Sequence, residues 1–117
     1  MQEFLYHYLA KVVSVYDGDT CTVDIDVGLR TWIHEEKLRL TRINAPELIG
    51  AQRPAGLASR DFLKSLIENK EIYIRTIKDR QEKYGRYLVE IFVQQNGAWV
   101  NVNDLMVQNG HAEYKEY

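Results

Sequence analysis

Long apolar runs are missing from this chain. No stretch approaches the roughly 18 to 20 consecutive apolar residues that would span a bilayer, so a membrane role is not expected. Sulfur is scarce as well: the one cysteine, Cys21, cannot close an internal disulfide. The opening MQEFLYHYLA lacks the basic start and long apolar core of a secretory signal, so the chain as given reads as intracellular. There is no excess of positive charge. A net charge of −2 and a pI near 5.9 argue against a protein that coats nucleic acid through a broad positive field, because that mode needs many phosphate-neutralising side chains. His7, His34 and His111 share no zinc-like spacing with one another or with Cys21. No repeat or low-complexity tract is present.

What remains is an ordinary globular composition, 45% apolar and 27% charged over 117 residues, which is enough for one core and too little for two. A single domain spanning 1–117 is expected. Basic residues do cluster, with Arg39, Arg42, Arg53 and Arg60 in one half and Lys78, Arg80, Lys83 and Arg86 in the other. Any nucleic-acid contact must therefore be local.

From Leu9 to Val27 the alternation predicts two strands about a tight Asp17-Gly18 turn, with glycine supplying a positive φ. By parity Asp19 shares the face of Cys21 and Val23 and points inward at the rim. A third strand is expected from about Leu38 to Ile43, with Leu38 and Leu40 on one face and Arg39 on the other. A helix should start near Gly56 and end near Asn69, burying Ala58, Phe62, Leu63 and Leu66. Two strands follow, around Ile72–Thr76 and Tyr87–Val93, flanking a loop over 79–85. A short helix from an Asn101 cap to a Gly110 stop completes the pattern. Five antiparallel-type strands with a helix after the third predict an α+β fold whose sheet closes into a barrel.

Three stretches carry chemistry: Asp17-Gly18-Asp19-Thr20, then Arg39 to Glu47 (RLTRINAPE), then Lys83-Tyr84-Gly85-Arg86. Alone, each has an ordinary explanation: a turn, a strand end before proline, and a solvated basic loop. The first carries more than a turn needs, because Asp19 and Thr20 are surplus to it.

Together, and in this order, the three resemble the staphylococcal nuclease-like family, whose hallmarks are an Asp-Gly-Asp-Thr hairpin, an Arg-Leu strand ending in Asp-x-Pro-Glu, and a Lys-Tyr-Gly-Arg loop. The resemblance runs from about residue 9 to 113. It implies a five-stranded OB-type β-barrel with two or more packed α-helices. It also implies a calcium-dependent endonuclease that cleaves DNA and RNA with little sequence specificity and leaves 3′-phosphate ends. Carried over by position, Asp19, Asn44 and the Ala45 backbone carbonyl match metal ligands, with Ca²⁺ expected and other divalent cations open. Such an all-oxygen set suits a hard cation. Glu47 matches the proposed general base, and Arg39 and Arg86 match the phosphate-holding pair, whose planar forks donate paired hydrogen bonds. Asp17 and Thr20 stand behind the metal ligands, and Lys83 and Tyr84 match nucleotide-holding positions.

The chain departs from the family at Asn44, where an acid usually stands. An amide oxygen adds no negative charge, so a weaker calcium site is expected. The loop after Glu47 is short, and the chain ends where the secreted prototype continues into a third helix. The partners expected are DNA or RNA, with single strands favoured. A monomer is expected, dimerisation being left open by polar strand edges, and so is a cytoplasmic or phage-associated location. The alternative is a non-catalytic nucleic-acid-binding OB-fold module of the same family.

Overall fold

Period-two alternation of apolar residues drives most of the chain into strands. The computed structural model describes residues 5–116, apart from the side chains of 78–80, so the Lys78 and Arg80 side chains named above lie outside the described residues. β1 (His7–Asp17) and β2 (Thr20–Asp26) pair antiparallel, with Val12 opposite Val23 and Val15 opposite Cys21. The two-residue tip is Gly18-Asp19, one residue later than expected, and Gly18 does not take a positive φ. Glycine is needed there for space: a Cβ on Gly18 would lie 2.7 Å from the Cβ atoms of Ala45 and Ser59.

β3 (Trp32–Leu40) starts well before the expected Leu38. Its charged front half is an exposed extension laid along β2, with Ile33 opposite Ile25 and Glu36 opposite Val23. The register shift there is absorbed by Glu35, whose φ is 56°. The strand stops at Leu40, because Arg42 turns the chain with φ at 68° into β4 (Ile43–Asn44).

After a 3-10 turn at Gly50–Gln52, α1 (Arg53–Ile67) begins three residues before Gly56. Pro54 explains the earlier start, since its φ suits the first turn and its missing N–H would be unpaired there anyway. The buried face is Gly56, Ser59, Leu63, Leu66 and Ile67, whereas Ala58 is exposed. β5 (Glu71–Gln81) and β6 (Tyr87–Gln95) follow, then β7 (Ala98–Asn101), α2 (Val102–Gln108) and β8 (Glu113–Tyr114). The Asn101 side chain caps α2 as expected, accepting from the Asp104 amide at 2.9 Å. β8, which pairs with β4, was not anticipated.

The strand order β3-β2-β1-β5-β6 closes through a parallel pairing of β3 with β6, Leu38 opposite Tyr87 and Leu40 opposite Val89. The result is a five-stranded OB-type barrel with two helices packed on it, an α+β fold. Its interior holds Val23, Leu38, Leu40, Ile72, Ile74, Val89 and Ile91, with Leu63 and Ile67 from α1 and Met106 from α2. β6 parts from β3 at Val89 and takes up β7 from Phe92 onward. Asn103 fills the gap at that fork: its Oδ1 accepts from the Ile91 amide at 3.1 Å, and its Nδ2 donates to the Thr41 and Val89 carbonyls at 2.9 and 3.0 Å.

Candidate active site

Barrel closure sets Arg39 beside Leu88, two residues beyond Arg86, so the two arginines meet across the seam. A cleft of about 620 Å³ opens there, lined by Asp17, Asp19, Arg39, Asn44, Ala45, Glu47, Lys83, Tyr84 and Arg86 together with Gln81, Glu82, Leu88 and Lys115. That size lies within the range of small-ligand sites. Every residue matched above to a metal-holding, catalytic or nucleotide-holding position lines it except Thr20, which reaches it through Arg86.

On the hairpin side, Asp19 is buried at 6% exposure. Its Oδ2 accepts from the Ala45 amide at 2.8 Å and lies 3.3 Å from Arg39 Nη2, and its Oδ1 accepts from the Thr20 hydroxyl at 3.2 Å. The Asp19 amide in turn donates to Asp17 Oδ1 at 3.1 Å. Arg39 does face away from the leucines, yet it is equally buried, at 6%. Its Nη2 also donates to Asn44 Oδ1 at 3.4 Å, so the guanidinium bridges two of the three groups that match metal ligands, and its Nη1 donates to the Leu40 carbonyl at 2.5 Å.

Glu47 is exposed at the rim, and its segment is held from the 3-10 turn and the start of α1. Its amide donates to Gln52 Oε1 at 2.9 Å, and Arg53 Nη1 donates to the Leu48 carbonyl at 2.7 Å. Closest of all is Gly56: a Cβ there would lie 2.1 Å from the Glu47 carbonyl oxygen. The segment Ala45-Pro46-Glu47 is therefore clamped between the hairpin tip at Gly18 and the helix at Gly56 and Ser59.

The opposite wall is the turn over residues 82–86. Glu82 organises it, accepting from the amides of Tyr84 and Arg86, both at 3.0 Å, and from Arg86 Nε and Nη2 at 2.9 and 3.0 Å. These bonds from Arg86 pull the Glu82 carboxyl down to about 2 and raise the Arg86 guanidinium. Arg86 Nη1 donates to Thr20 Oγ1 at 3.0 Å. Three of its five N–H groups are thus engaged, leaving donors for an anion. Tyr84 is 72% exposed, with Lys83 Nζ 5.1 Å and Arg86 Cζ 5.3 Å from its ring centre.

Of the basic residues clustered in the sequence, Arg42 lies outside the cleft. Arg42 pairs with the buried Glu90 through two 2.7 Å bonds and with Asp104 at 3.0 Å, which makes it a strut of the barrel. Tyr114 donates to the same Asp104 at 2.9 Å. Glu82, Gln81, Leu88 and Lys115 were not singled out in the sequence. Of these, only Glu82, preceding Lys-Tyr-Gly-Arg by one residue, had a positional signal. Lys115 arrives through the β4–β8 pairing, its amide donating to the Arg42 carbonyl at 2.8 Å.

The donor chemistry can be tested against the cation that the family resemblance implies. The oxygens at the hairpin side are a carboxylate, a carboxamide and main-chain carbonyls, a set that suits a hard cation. Asp17 has its carboxyl pushed up to about 6, first by burial and then by the Asp19 charge, an imbalance a cation relieves. Among the described residues no three His, Cys, Asp or Glu gather closely enough to hold a metal ion by themselves.

Residues 37–117 match the family model described as "Staphylococcal nuclease homologue". Curated relatives match more of the chain. A thermonuclease of Staphylococcus hyicus is 27% identical over 92% of this chain and 59% of its own length. A thermonuclease of Staphylococcus intermedius is 29% identical over 74% of this chain and 48% of its own. The uncharacterized protein MJ1439 of Methanocaldococcus jannaschii is 28% identical over 91% of this chain and 58% of its own. The chain thus spans about half to three fifths of the curated relatives it matches.

Proposed function

The chain belongs to the staphylococcal nuclease family, and from that premise we propose that it is a metal-dependent endonuclease hydrolysing phosphodiester bonds of DNA and RNA. On this reading it has little sequence preference, favours single strands and leaves 3′-phosphate ends, and calcium is its cation. The observation that carries the reading is the convergence of two guanidiniums, an exposed carboxylate and a cluster of oxygen donors in one cleft.

The roles follow from the chemistry of each group. Arg39 and Arg86 flank the scissile phosphate and donate to its nonbridging oxygens. Their bonds strengthen as negative charge accumulates there, which lowers the barrier. Their own carboxylate partners, Asp19 and Glu82, hold them in place beforehand, so little is reorganised when substrate arrives. Glu47 takes a proton from the attacking water. Asp19, Asn44 and the Ala45 carbonyl would hold the cation, with Asp17 and Thr20 orienting Asp19. When bound, a divalent cation supplies Lewis-acid stabilisation of the phosphoryl oxygens. Lys83 and Tyr84 hold the nucleotide on the loop side.

The test is cleavage of labelled single-stranded DNA in millimolar Ca²⁺ and in chelator, with Glu47→Ala alongside. Calcium-dependent cleavage, reduced by about 10²-fold or more in the variant, is expected. No cleavage by folded wild type in Ca²⁺, Mg²⁺ or Mn²⁺ would overturn the enzymatic reading. It would favour the second one, a nucleic-acid-binding module that does not cleave. That second reading draws on Asn44 and on Arg39 bridging the Asp19 and Asn44 oxygens. Recovery of cleavage by Asn44→Asp would then identify the missing charge as the cause.

A further inference from the structure

A second cavity, about 470 Å³, lies behind Tyr84 and Arg86 on the outer face of β1, β2 and β3. Those two residues line both cavities, so the outer groove begins where the catalytic cleft ends. Its floor is a row across the three strands, Ser14 opposite Thr22 and Thr22 opposite Lys37, with Tyr16 at its side.

The chemistry of this groove differs from that of the cleft. The cleft contains four carboxylates against four cations, whereas no carboxylate lines the groove, which has Lys37 and Arg86 as cations. Lys37 is exposed and has no ion-pair partner among the described residues. Tyr16 is 66% exposed and stacks on no other ring among the described residues. An open aromatic face beside an uncompensated cation and a row of hydroxyls is the combination that takes up single-stranded nucleic acid, bases on the ring and phosphate on the cation. The spacing agrees. Arg86 bonds Thr20, which pairs with Arg39, and the Thr22–Lys37 row lies two strand residues further on, about 7 Å, one nucleotide step of extended backbone.

We propose that this groove is a further nucleotide subsite, holding the nucleotide next to the one whose phosphate Arg39 and Arg86 grip, with its base on Tyr16 and its own phosphate at Lys37. The proposal rests on the nucleic-acid reading of the cleft and adds a length requirement to it: a substrate gains affinity only when it extends past Arg86.

Binding in chelator, where cleavage is suppressed, tests this. Fluorescence anisotropy would follow labelled octathymidylate, with a nucleoside 5′-phosphate as competitor that fills only the cleft. Tyr16→Ala and Lys37→Ala are each expected to weaken octathymidylate roughly five- to tenfold and to leave the monophosphate unchanged. Tyr16→Phe should bind like wild type. Lys37→Ala should also flatten the slope of log affinity against log salt by about 0.7. Both side chains are exposed, so unchanged melting temperatures would certify the fold. Variants that bind octathymidylate as tightly as wild type, while Arg86→Ala loses both ligands, would overturn the subsite and leave the cleft reading standing. Wild type that binds neither ligand would overturn the nucleic-acid reading and the subsite with it. Intact length-dependent binding without cleavage in calcium supports the subsite and counts against the enzymatic reading alone.

Discussion

Gly56 shows how one missing methyl can fix the position of Glu47, the proposed base. It sits on the buried face of α1 and touches neither the cleft nor any candidate side chain, yet the Glu47 carbonyl occupies the space a Cβ would take. Gly56→Ala cannot be absorbed by a flexible side chain, because the obstacle is backbone. The Pro46–Glu47 peptide must shift instead, and Glu47 shifts with it. In the helix itself alanine is the better residue by about 1 kcal/mol, which offsets part of the strain. The expected outcome is a fall in kcat of tenfold or more with KM little changed, since displacement of a catalytic group by a fraction of an ångström is costly. Activity should fall by more than stability does. Steady-state kinetics beside a urea melt checks this; loss of both in proportion would mean that the clamp serves folding alone.

At the scale of an element, the 82–86 turn behaves as a unit organised by one carboxylate. Glu82 accepts four hydrogen bonds from within the turn, and its carboxyl is lowered from an ordinary 4.5 to about 2, chiefly by Arg86. A depressed carboxyl contributes its stabilisation fully above its unfolded value. That contribution is lost as pH falls from about 4.5 toward about 2. The turn should therefore keep its order well into acid, and the amide resonances of Tyr84 and Arg86 should titrate near 2. Titration near 4.5 would show that the Arg86 pairing is not maintained in solution. In Glu82→Gln the low-pH transition should vanish, leaving Arg86 less firmly oriented at neutral pH.

Over the whole molecule, the barrel depends on a seam between strands far apart in sequence, and Asn103 guards the point where that seam forks. It is fully buried and bonds the Ile91 amide and two carbonyls. Truncation to alanine leaves the Ile91 N–H and the Thr41 carbonyl without that partner in the core, which costs about 2–4 kcal/mol. Asn103→Ala should lower the urea midpoint accordingly and open the β3–β6 seam first, seen as faster amide exchange at Thr41, whose N–H donates to the Val89 carbonyl across the seam at 2.9 Å, than in β1 and β2. A cost below about 0.5 kcal/mol would mean that the fork is satisfied in another way.

Much of this was legible in the residues. The hairpin and α2 with its Asn101 cap followed from alternation and capping, because those depend on neighbours in the chain, whereas the three chemical stretches stood out only through their joint resemblance to a known family. Short-range reading failed where a distant segment decided the outcome. Gly18 looked like a turn glycine and is a contact glycine, since Ala45 and Ser59 pack where its side chain would be. The α1 face was read from hydrophobicity as including Ala58, whereas close packing turned Gly56 and Ser59 inward. Arg42 looked like its basic neighbours until Glu90, buried on another strand, claimed it. By itself, then, the order of residues determined which polar and charged groups are available and which short elements carry them. Only tertiary pairing decided the rest: the parallel closure of β3 on β6 brought Arg39 and Arg86 into one cleft, and the β4–β8 pairing brought Lys115 to it. Convergence across a barrel is a property of long-range pairing, and no local pattern encodes it.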